Sequence, residues 1–186
     1  MKRILLIGLT LVLLFTFAAC GSEVGQVLED PDITIEQIAW SVVEAEEANG
    51  DRYLLCEFTN NSAYTVTSLR LSFVGRDDLT DETLDSFFAD IQASQGFGDA
   101  FMADFRQQRK DKISMYAQAD GVLTAGQTAE SVKCYYFGGL TCKNVIYPEL
   151  FVPEVAQFTY EKMGKTYSID YEFATGAYKV AEVQGD

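Results

Sequence analysis

Cysteine offers the widest chemistry in this chain, because the sequence contains four cysteines and no histidine. A thiol can be acylated, oxidised to a disulfide or ionised to bind zinc. The missing imidazole removes the usual general base near neutral pH, so Ser-His-Asp and Cys-His catalysis are both excluded. Cys20 ends a hydrophobic run, whereas Cys56, Cys134 and Cys142 lie in the body of the chain. We therefore expect Cys20 to differ in role from the other three.

The sequence that leads to Cys20 has the features of a secretory signal. Met-Lys-Arg at residues 1–3 is basic, and an apolar run over residues 4–17 follows. This run is too short to span a bilayer as a helix, and small residues follow it, as at a signal cleavage site. The ending Phe17-Ala18-Ala19-Cys20 resembles the lipobox of bacterial lipoproteins, in which small residues precede an invariant cysteine. An ordinary cleaved signal that happens to end in cysteine is the alternative.

The lipobox resemblance implies a lipid anchor on Cys20. In that family the cysteine thiol receives a diacylglycerol, and a peptidase then cleaves just before the cysteine. Residues 1–19 would then be a signal peptide, and residues 20–31 a lipidated tether. Several acyl chains anchor a protein durably, because each buried methylene adds about 0.8 kcal/mol. We therefore expect a lipid-anchored protein on the extracytoplasmic face of the cell membrane, with the membrane as its partner through Cys20.

The three remaining cysteines leave their pairing open. Cys56 and Cys134 both fall on predicted inward faces of strands, so they are the candidate disulfide in an oxidising compartment. Cys142 competes for Cys134, and buried free thiols are the other alternative, since a free cysteine packs as a small hydrophobic residue. A zinc site of four thiolates needs more cysteines than remain after Cys20 is acylated. We expect neither a metal nor a cofactor.

The charge of the chain limits its partners. The formal net charge is −14, and the part that follows the signal lacks Lys2 and Arg3 and so carries −16. Such an acidic surface repels phosphate backbones, so we expect no nucleic-acid partner.

One basic cluster interrupts this acidic sequence near the end of a predicted helix. Its members are Arg106, Arg109, Lys110 and Lys112. The cluster is a candidate contact for an anionic partner such as a wall polymer or a phospholipid head group. The alternative is that these cations complement the negative end of the helix dipole.

Carboxylates are the remaining candidates for catalysis. Glu161, Asp170 and Glu172 fall on the polar face of the last predicted hairpin. A pair of them at suitable separation would suit a hydrolase of cell-envelope or host polysaccharide. The alternative is an ordinary exposed sheet face, which also alternates charged residues and provides no cleft to raise the pKa of an acid. We expect no catalytic residue.

The elements that position these residues are mainly strands. Apolar residues alternate with polar ones from residue 33 onward, in about eight short segments separated by turn signals. Connections of this length make the strands antiparallel and predict a β-sandwich over residues 32–186. The alternation is interrupted at about 80–112, where two helices are inserted.

The inserted helices show an apolar stripe of helical period. The stripe consists of Leu84, Phe87, Phe88 and Ile91, and Phe101 and Phe105 continue it in the second helix. Thr80 is the expected N-cap of the first helix, and Asp99 that of the second. We expect both helices to cover the sheet face that carries Tyr135 and Phe137.

Two segments of the chain are similar to immunoglobulin-like domains of Gram-positive lipoproteins of unknown function. The first runs from Leu54 to Ser62 and ends in an Asn-Asn-Ser turn, and the second is Leu123-Thr124-Ala125-Gly126-Gln127-Thr128-Ala129. The resemblance implies an Ig-like sandwich displayed outside the cytoplasm, and it carries over no catalytic residue. We expect a non-catalytic binding or interaction module, whose partner is a protein or a glycan. The alternative is the polysaccharide hydrolase.

Overall fold

Antiparallel strands form most of the computed structural model, which describes residues 27–28, 31–110 and 112–183. Cys20 and the predicted signal peptide lie outside the described residues. The described strands are β1 (Val27–Leu28), β2 (Ile38–Glu46), β3 (Arg52–Asn60), β4 (Thr65–Gly75), β5 (Ser114–Leu123), β6 (Thr128–Tyr136), β7 (Phe151–Lys162), β8 (Lys165–Glu172) and β9 (Ala177–Val183). Two helices, α1 (Asp81–Gln95) and α2 (Asp99–Arg109), connect β4 to β5. The protein is therefore mainly β with a two-helix insertion, as the sequence predicts.

The strands join in the order β1-β9-β8-β7-β4-β5-β6-β3-β2. Strand β6 is shared, because its first half pairs with β3 and its last residues, Cys134–Tyr136, pair with β5. A bulge interrupts the part that pairs with β3, where Glu130 and Ser131 lie opposite Glu57 and Ser131 has a positive φ of 59°. Such a bulge bends a strand. The bend in β6 carries β2 and β3 out of line with the rest of the sheet.

The bent sheet folds over one core. Trp40 of β2 packs edge-on against Phe73 of β4, with ring centroids 5.6 Å apart, although three strands separate β2 from β4 in the sheet order. The inward residues Leu54, Cys56 and Phe58 of β3 are buried, as are Leu69, Leu71 and Phe73 of β4. The alternation of inward and outward residues in β3 and β4 is as predicted from the sequence. Burying each large apolar side chain contributes about 1.5–3 kcal/mol, so this two-layered core dominates the stability.

The insertion packs its aromatic stripe against the end of β6. Helix α1 begins after Thr80, whose Oγ1 accepts a hydrogen bond from the amide of Thr83, and it ends at Gly96 with φ 67°. Phe87 and Phe88 are buried, and Phe88 stacks on Phe137 at a centroid distance of 5.7 Å. Burial of this stripe is what attaches the helices to the sheet.

Two details of the predicted insertion are wrong. Tyr135 does not face the helices: its ring stacks on Tyr116 of β5, on the opposite face of the sheet, and Tyr136 takes the inward position. Adjacent residues of a strand point to opposite faces, so Tyr135 and Tyr136 diverge. Phe137 follows the strand at φ 51°, which breaks the alternation, and it contacts Phe87 of α1 as Tyr136 does. The N-cap of α2 is Gly98 rather than Asp99.

Two strand boundaries also differ from the prediction. Asp120-Gly121 is not a turn, because β5 continues to Leu123: Asp120 pairs with Ser68, and Gly121 and Val122 form a bulge opposite Thr67 of β4. Strand β9 lies beyond the last predicted hairpin and pairs with β8.

The start of the domain is fixed by one carboxylate. Asp32 accepts hydrogen bonds from Lys162 Nζ at 2.6 and 2.8 Å, from the Tyr160 hydroxyl at 2.7 Å and from the Tyr64 hydroxyl at 3.4 Å. The hydrogen bond from Lys162 is the main reason that the pKa of Asp32 lies below its ordinary value. We call Asp32, Tyr64, Tyr160 and Lys162 the Asp32 clasp.

Candidate functional site

Most basic side chains in the described part of the chain are paired with a carboxylate. The pairs are Arg52–Glu44, Arg76–Asp78, Arg106–Asp85, Lys133–Glu47, Lys143–Asp51, Lys162–Asp32, Lys165–Glu182 and Lys179–Glu172. Among the described residues, the basic side chains that make no ion pair are Arg70, Arg109, Lys110 and Lys112. Unpaired cations are unexpected where acids outnumber bases two to one, at 28 against 14.

These unpaired cations line one continuous groove. Arg109, Lys110 and Lys112 line a cleft of about 650 Å³ where α2 leads into β5. Arg70 lines an adjoining hollow of about 240 Å³ on the outer face of the sheet. Arg109, Ser114 and Glu154 line both spaces and so join them. We call the joined spaces the cationic groove.

Arg109 is held in the groove by aromatic rings and a carbonyl group. Its guanidinium lies 5.4 Å from the ring centre of Phe105 and 5.5 Å from that of Phe137. Its Nη2 donates to the Phe137 carbonyl at 3.4 Å. Ring faces attract cations without neutralising them, so the guanidinium keeps its charge available.

The backbone at the end of α2 places the two lysines beside Arg109. Lys110 ends the helix with φ 52°, and its amide donates to the carbonyl groups of Arg106 and Gln107. The amide of Lys112 donates to the carbonyl of Arg109 at 3.0 Å. A left-handed residue at this position ends the helix abruptly, and the exit turn carries both lysines into the cleft.

Arg70 occupies the outer face of β4, opposite the buried Leu69 and Leu71. Its guanidinium carbon lies 3.9 Å from the ring centre of Tyr116, which stacks in turn on Tyr135 at 5.3 Å. The Nε of Arg70 is buried and has no hydrogen-bond partner within the described chain. A buried donor without an acceptor costs about 1–3 kcal/mol, and the contact with Tyr116 offsets part of that cost. The side chain is therefore held in place without a counter-ion from the described residues.

Arg106 does not belong to the groove, although the sequence predicts it in the same patch as its neighbours. Its Nη1 bonds Asp85 of α1 at 2.7 Å, and its guanidinium lies 4.8 Å from the ring centre of Phe88. The structure therefore brings Arg109, Lys110 and Lys112 together and directs Arg106 toward α1. The groove also contains Arg70, which no local sequence signal links to the other three cations.

The predicted thiol pair lies in the core. Cys56, Cys134 and Cys142 are free and buried in the structure, so the Cys56–Cys134 bridge is not formed there and stays a prediction for the oxidised protein. Burial raises the pKa of Cys134 to about 12 and that of Cys142 to about 11. Burial, and next the neighbouring Cys134, also raise the pKa of Cys56. Thiols with raised pKa values react slowly, because the thiolate is the nucleophile.

The predicted carboxylates do not form a cluster. Glu161 pairs in register with Thr166, which is four residues from Asp170 along β8, or roughly 13 Å at the rise of a strand. Glu172 forms an ion pair with Lys179 at 2.9 Å, and this contact lowers its pKa. A general acid needs the opposite shift. Across residues 31–110 and 112–183, no group of three or more cysteine or acidic residues is placed to hold a metal ion.

No helix in the described part of the chain is long and apolar enough to cross a membrane. No protein-family model, no curated protein and no solved structure matches this chain.

Proposed function

We propose that this chain is a lipid-anchored, non-catalytic binding module that recognises an anionic ligand in the cationic groove. The observation that carries the proposal is the convergence of Arg70, Arg109, Lys110 and Lys112, which are the cations left without a carboxylate partner in the described residues. A guanidinium binds carboxylate or phosphate through two parallel hydrogen bonds, so Arg70 and Arg109 supply direction as well as charge.

The acidity of the whole chain restricts the kind of anion. The surface outside the signal carries a net charge of −16 and repels a densely charged polyanion, and salt screens both this repulsion and the attraction of the groove beyond about 8 Å, the Debye length at physiological salt. Attraction to the groove is therefore short-ranged. A short ligand that carries only a few anionic groups fits this arrangement better than a nucleic acid.

The finer architecture and the anchor belong to the same proposal. An Ig-like sandwich is supported by the packing of Trp40 across the core against Phe73, although β6 joins the two layers through continuous hydrogen bonding. The anchor is supported by the lipobox resemblance at Cys20. Replacing Cys20 by Ser should release the protein from the membrane fraction or leave an uncleaved precursor. Wild-type retention of this variant on the membrane would contradict the anchor.

Binding is tested by comparing two arginines of equal charge. The full-length protein in detergent is titrated calorimetrically with oligogalacturonate, a carboxylated oligosaccharide. Arg109→Ala should weaken binding by about tenfold, because it removes one bidentate contact. Arg52→Ala removes the same charge from a residue that pairs with Glu44 outside the groove, and it should leave the affinity unchanged. Equal losses of affinity in both variants would show that only the net charge matters, and this result would contradict a binding site at Arg109.

A further inference from the structure

The cationic groove continues past Arg70 into a third hollow on the outer face of the sheet. This hollow has a volume of about 230 Å³, and its polar lining residues are Ser68, Arg70, Gln118, Gln157, Thr159, Ser168 and Asp170. Its lining residues come from β5, β4, β7 and β8, which are adjacent in the sheet. Arg70 lines both this hollow and the neighbouring part of the groove, so the three spaces form one track.

We propose that this third hollow binds sugar rings and that the ligand is an anionic glycan, an inference that rests on the function proposed above. The glycan places an anionic substituent on Arg70 and extends sugar rings toward Asp170 on one side and toward Arg109 on the other. The four strands beneath the hollow span roughly 14 Å across the sheet, from three spacings of about 4.8 Å. This length suits an oligosaccharide better than a single small anion.

The hydrogen-bond acceptors around Arg70 are the reason that we infer a glycan as the ligand. Gln118 Nε2 donates to Asp120 at 2.8 Å, and Gln157 Nε2 donates to Asp170 at 3.1 Å. These bonds orient both glutamines and leave their amide oxygens free to accept. An ionised carboxylate also only accepts, and Asp170 can take more hydrogen bonds than the one Gln157 provides. One cation among several acceptors requires a ligand with one anion and several donors.

Glu154 is a further hydrogen-bond acceptor in the groove. It lines the two joined spaces of the groove, and its side chain makes no hydrogen bond or ion pair with any described residue. A polymer made only of phosphodiesters brings acceptors alone and would meet repulsion from Glu154 and Asp170. Sugar hydroxyl groups donate to carboxylates and amide oxygens, so an anionic glycan satisfies both the acids and the arginines.

The inference is tested with matched probes on the full-length protein in detergent. Two glycans, oligogalacturonate and a phosphorylated mannan oligosaccharide, differ in whether the anion is a carboxylate or a phosphate. Fully methyl-esterified oligogalacturonate keeps the sugars without the charge, and oligo(glycerol phosphate) keeps the charge without the sugar rings. We expect at least one anionic glycan to bind about tenfold or more tightly than both the neutral ester and the glycerol polymer.

Variants separate the sugar contacts from the charge contacts. The double variant Gln118→Ala/Gln157→Ala should weaken binding of the anionic glycan by about tenfold and leave oligo(glycerol phosphate) binding unchanged. Arg109→Ala should weaken both. Circular dichroism and the melting temperature of each variant report whether the sheet is intact, and Asn49→Ala, a change in the exposed turn before β3, is the control.

The outcomes distinguish the two proposals. If oligo(glycerol phosphate) binds as tightly as the glycans and the glutamine variant behaves like the wild type, the glycan inference is overturned and anion binding stands. If the neutral ester binds as tightly as oligogalacturonate and Arg109→Ala has no effect, both proposals are overturned. Absence of binding to every probe also contradicts both.

Discussion

The Asp32 clasp and the cationic groove hold cations in opposite ways. In the clasp, Lys162 contacts both oxygens of Asp32, which also accepts from Tyr160 and Tyr64. In the groove, Arg70 and Arg109 lie on aromatic rings and have no carboxylate partner among the residues that the structure describes. A paired cation contributes to the folded state, whereas a cation held mainly by rings keeps most of its hydrogen-bond donors for a ligand. The comparison separates a structural charge from a binding charge.

The largest expected effect comes from removing the ring beneath Arg109. Phe137 is 7% exposed and contacts Phe87, Phe88 and Phe105. Phe137→Ala should lower the free energy of unfolding by about 3–5 kcal/mol, as truncation of a buried aromatic residue does, and should weaken anion binding as well. Urea unfolding measures the first effect and calorimetry the second. Tyr135→Ala, on the outer face, should destabilise the protein much less, and equal losses would contradict the account of the helix packing.

Breaking the clasp should affect stability and leave binding unchanged. Asp32→Asn removes the charge that Lys162 and Tyr160 contact, and the melting temperature should fall by about 3–8 °C. Oligogalacturonate affinity should match the wild type, because the clasp is not part of the groove. A loss of affinity comparable to that of Arg109→Ala would show that the two regions are not independent.

The two regions should also differ in acid. The folded-state pKa of Asp32 lies below its ordinary value of 3.8, so the clasp contributes stability that is fully present above that value. This contribution is lost as the pH falls below 3.8 and through the lowered pKa. The difference in melting temperature between wild type and Asp32→Asn should therefore be largest near pH 7 and should shrink below pH 3.8. A difference that stayed constant down to that lowered pKa would contradict the ionic role of Asp32.

A carboxylate introduced beside Arg70 should pair with it, as Asp32 pairs with Lys162. Ser72 lines the same hollow as Arg70 and pairs in register with Tyr116, on which the guanidinium lies. Ser72→Asp should therefore give Arg70 an ion pair and weaken anion binding by about tenfold. The melting temperature should change by only about 1–2 °C, since an ion pair between half-buried side chains on the sheet surface adds little. Ser72→Asn is the uncharged control. If Ser72→Asp binds the anion as tightly as the wild type, Arg70 is not part of the binding site.

The smallest effect is expected at Arg106. This residue belongs to the same sequence cluster as Arg109, but it pairs with Asp85 and lies over Phe88. Arg106→Ala should change the affinity for oligogalacturonate by less than about twofold, within the range of a distant surface charge. The same calorimetric titration measures it. A loss as large as that of Arg109→Ala would favour a diffuse basic patch over the groove.

Local periodicity explains what the sequence predicts well. The alternation in β3 and β4 and the stripe of Phe87, Phe88 and Ile91 each identify a buried face, because burial repeats with the period of the element. Arg109, Lys110 and Lys112 are neighbours in sequence, so their proximity is also predictable.

Long-range pairing accounts for what the sequence does not predict. Arg70 reaches the groove only because β4 pairs with β5 and because α2 returns the chain to the start of β5. The charge pattern places Arg106 with Arg109, but the pairing of Arg106 with Asp85 depends on how α1 and α2 pack. Strand β9 is short and half exposed, and its pairing with β8 defines it more than its own pattern does.

The most direct test follows each arginine side chain during binding. In the ¹⁵N spectrum of the full-length protein, the Nε–H signals of Arg52, Arg70, Arg76, Arg106 and Arg109 can be assigned by substitution and followed during titration with oligogalacturonate. The account predicts that the Arg70 and Arg109 signals shift together with one dissociation constant, while the signals of Arg52 and Arg106, which pair with carboxylates outside the groove, stay in place. Equal shifts of Arg52 and Arg106, or a titration that leaves the Arg70 and Arg109 signals unmoved, would contradict a binding site built from unpaired cations.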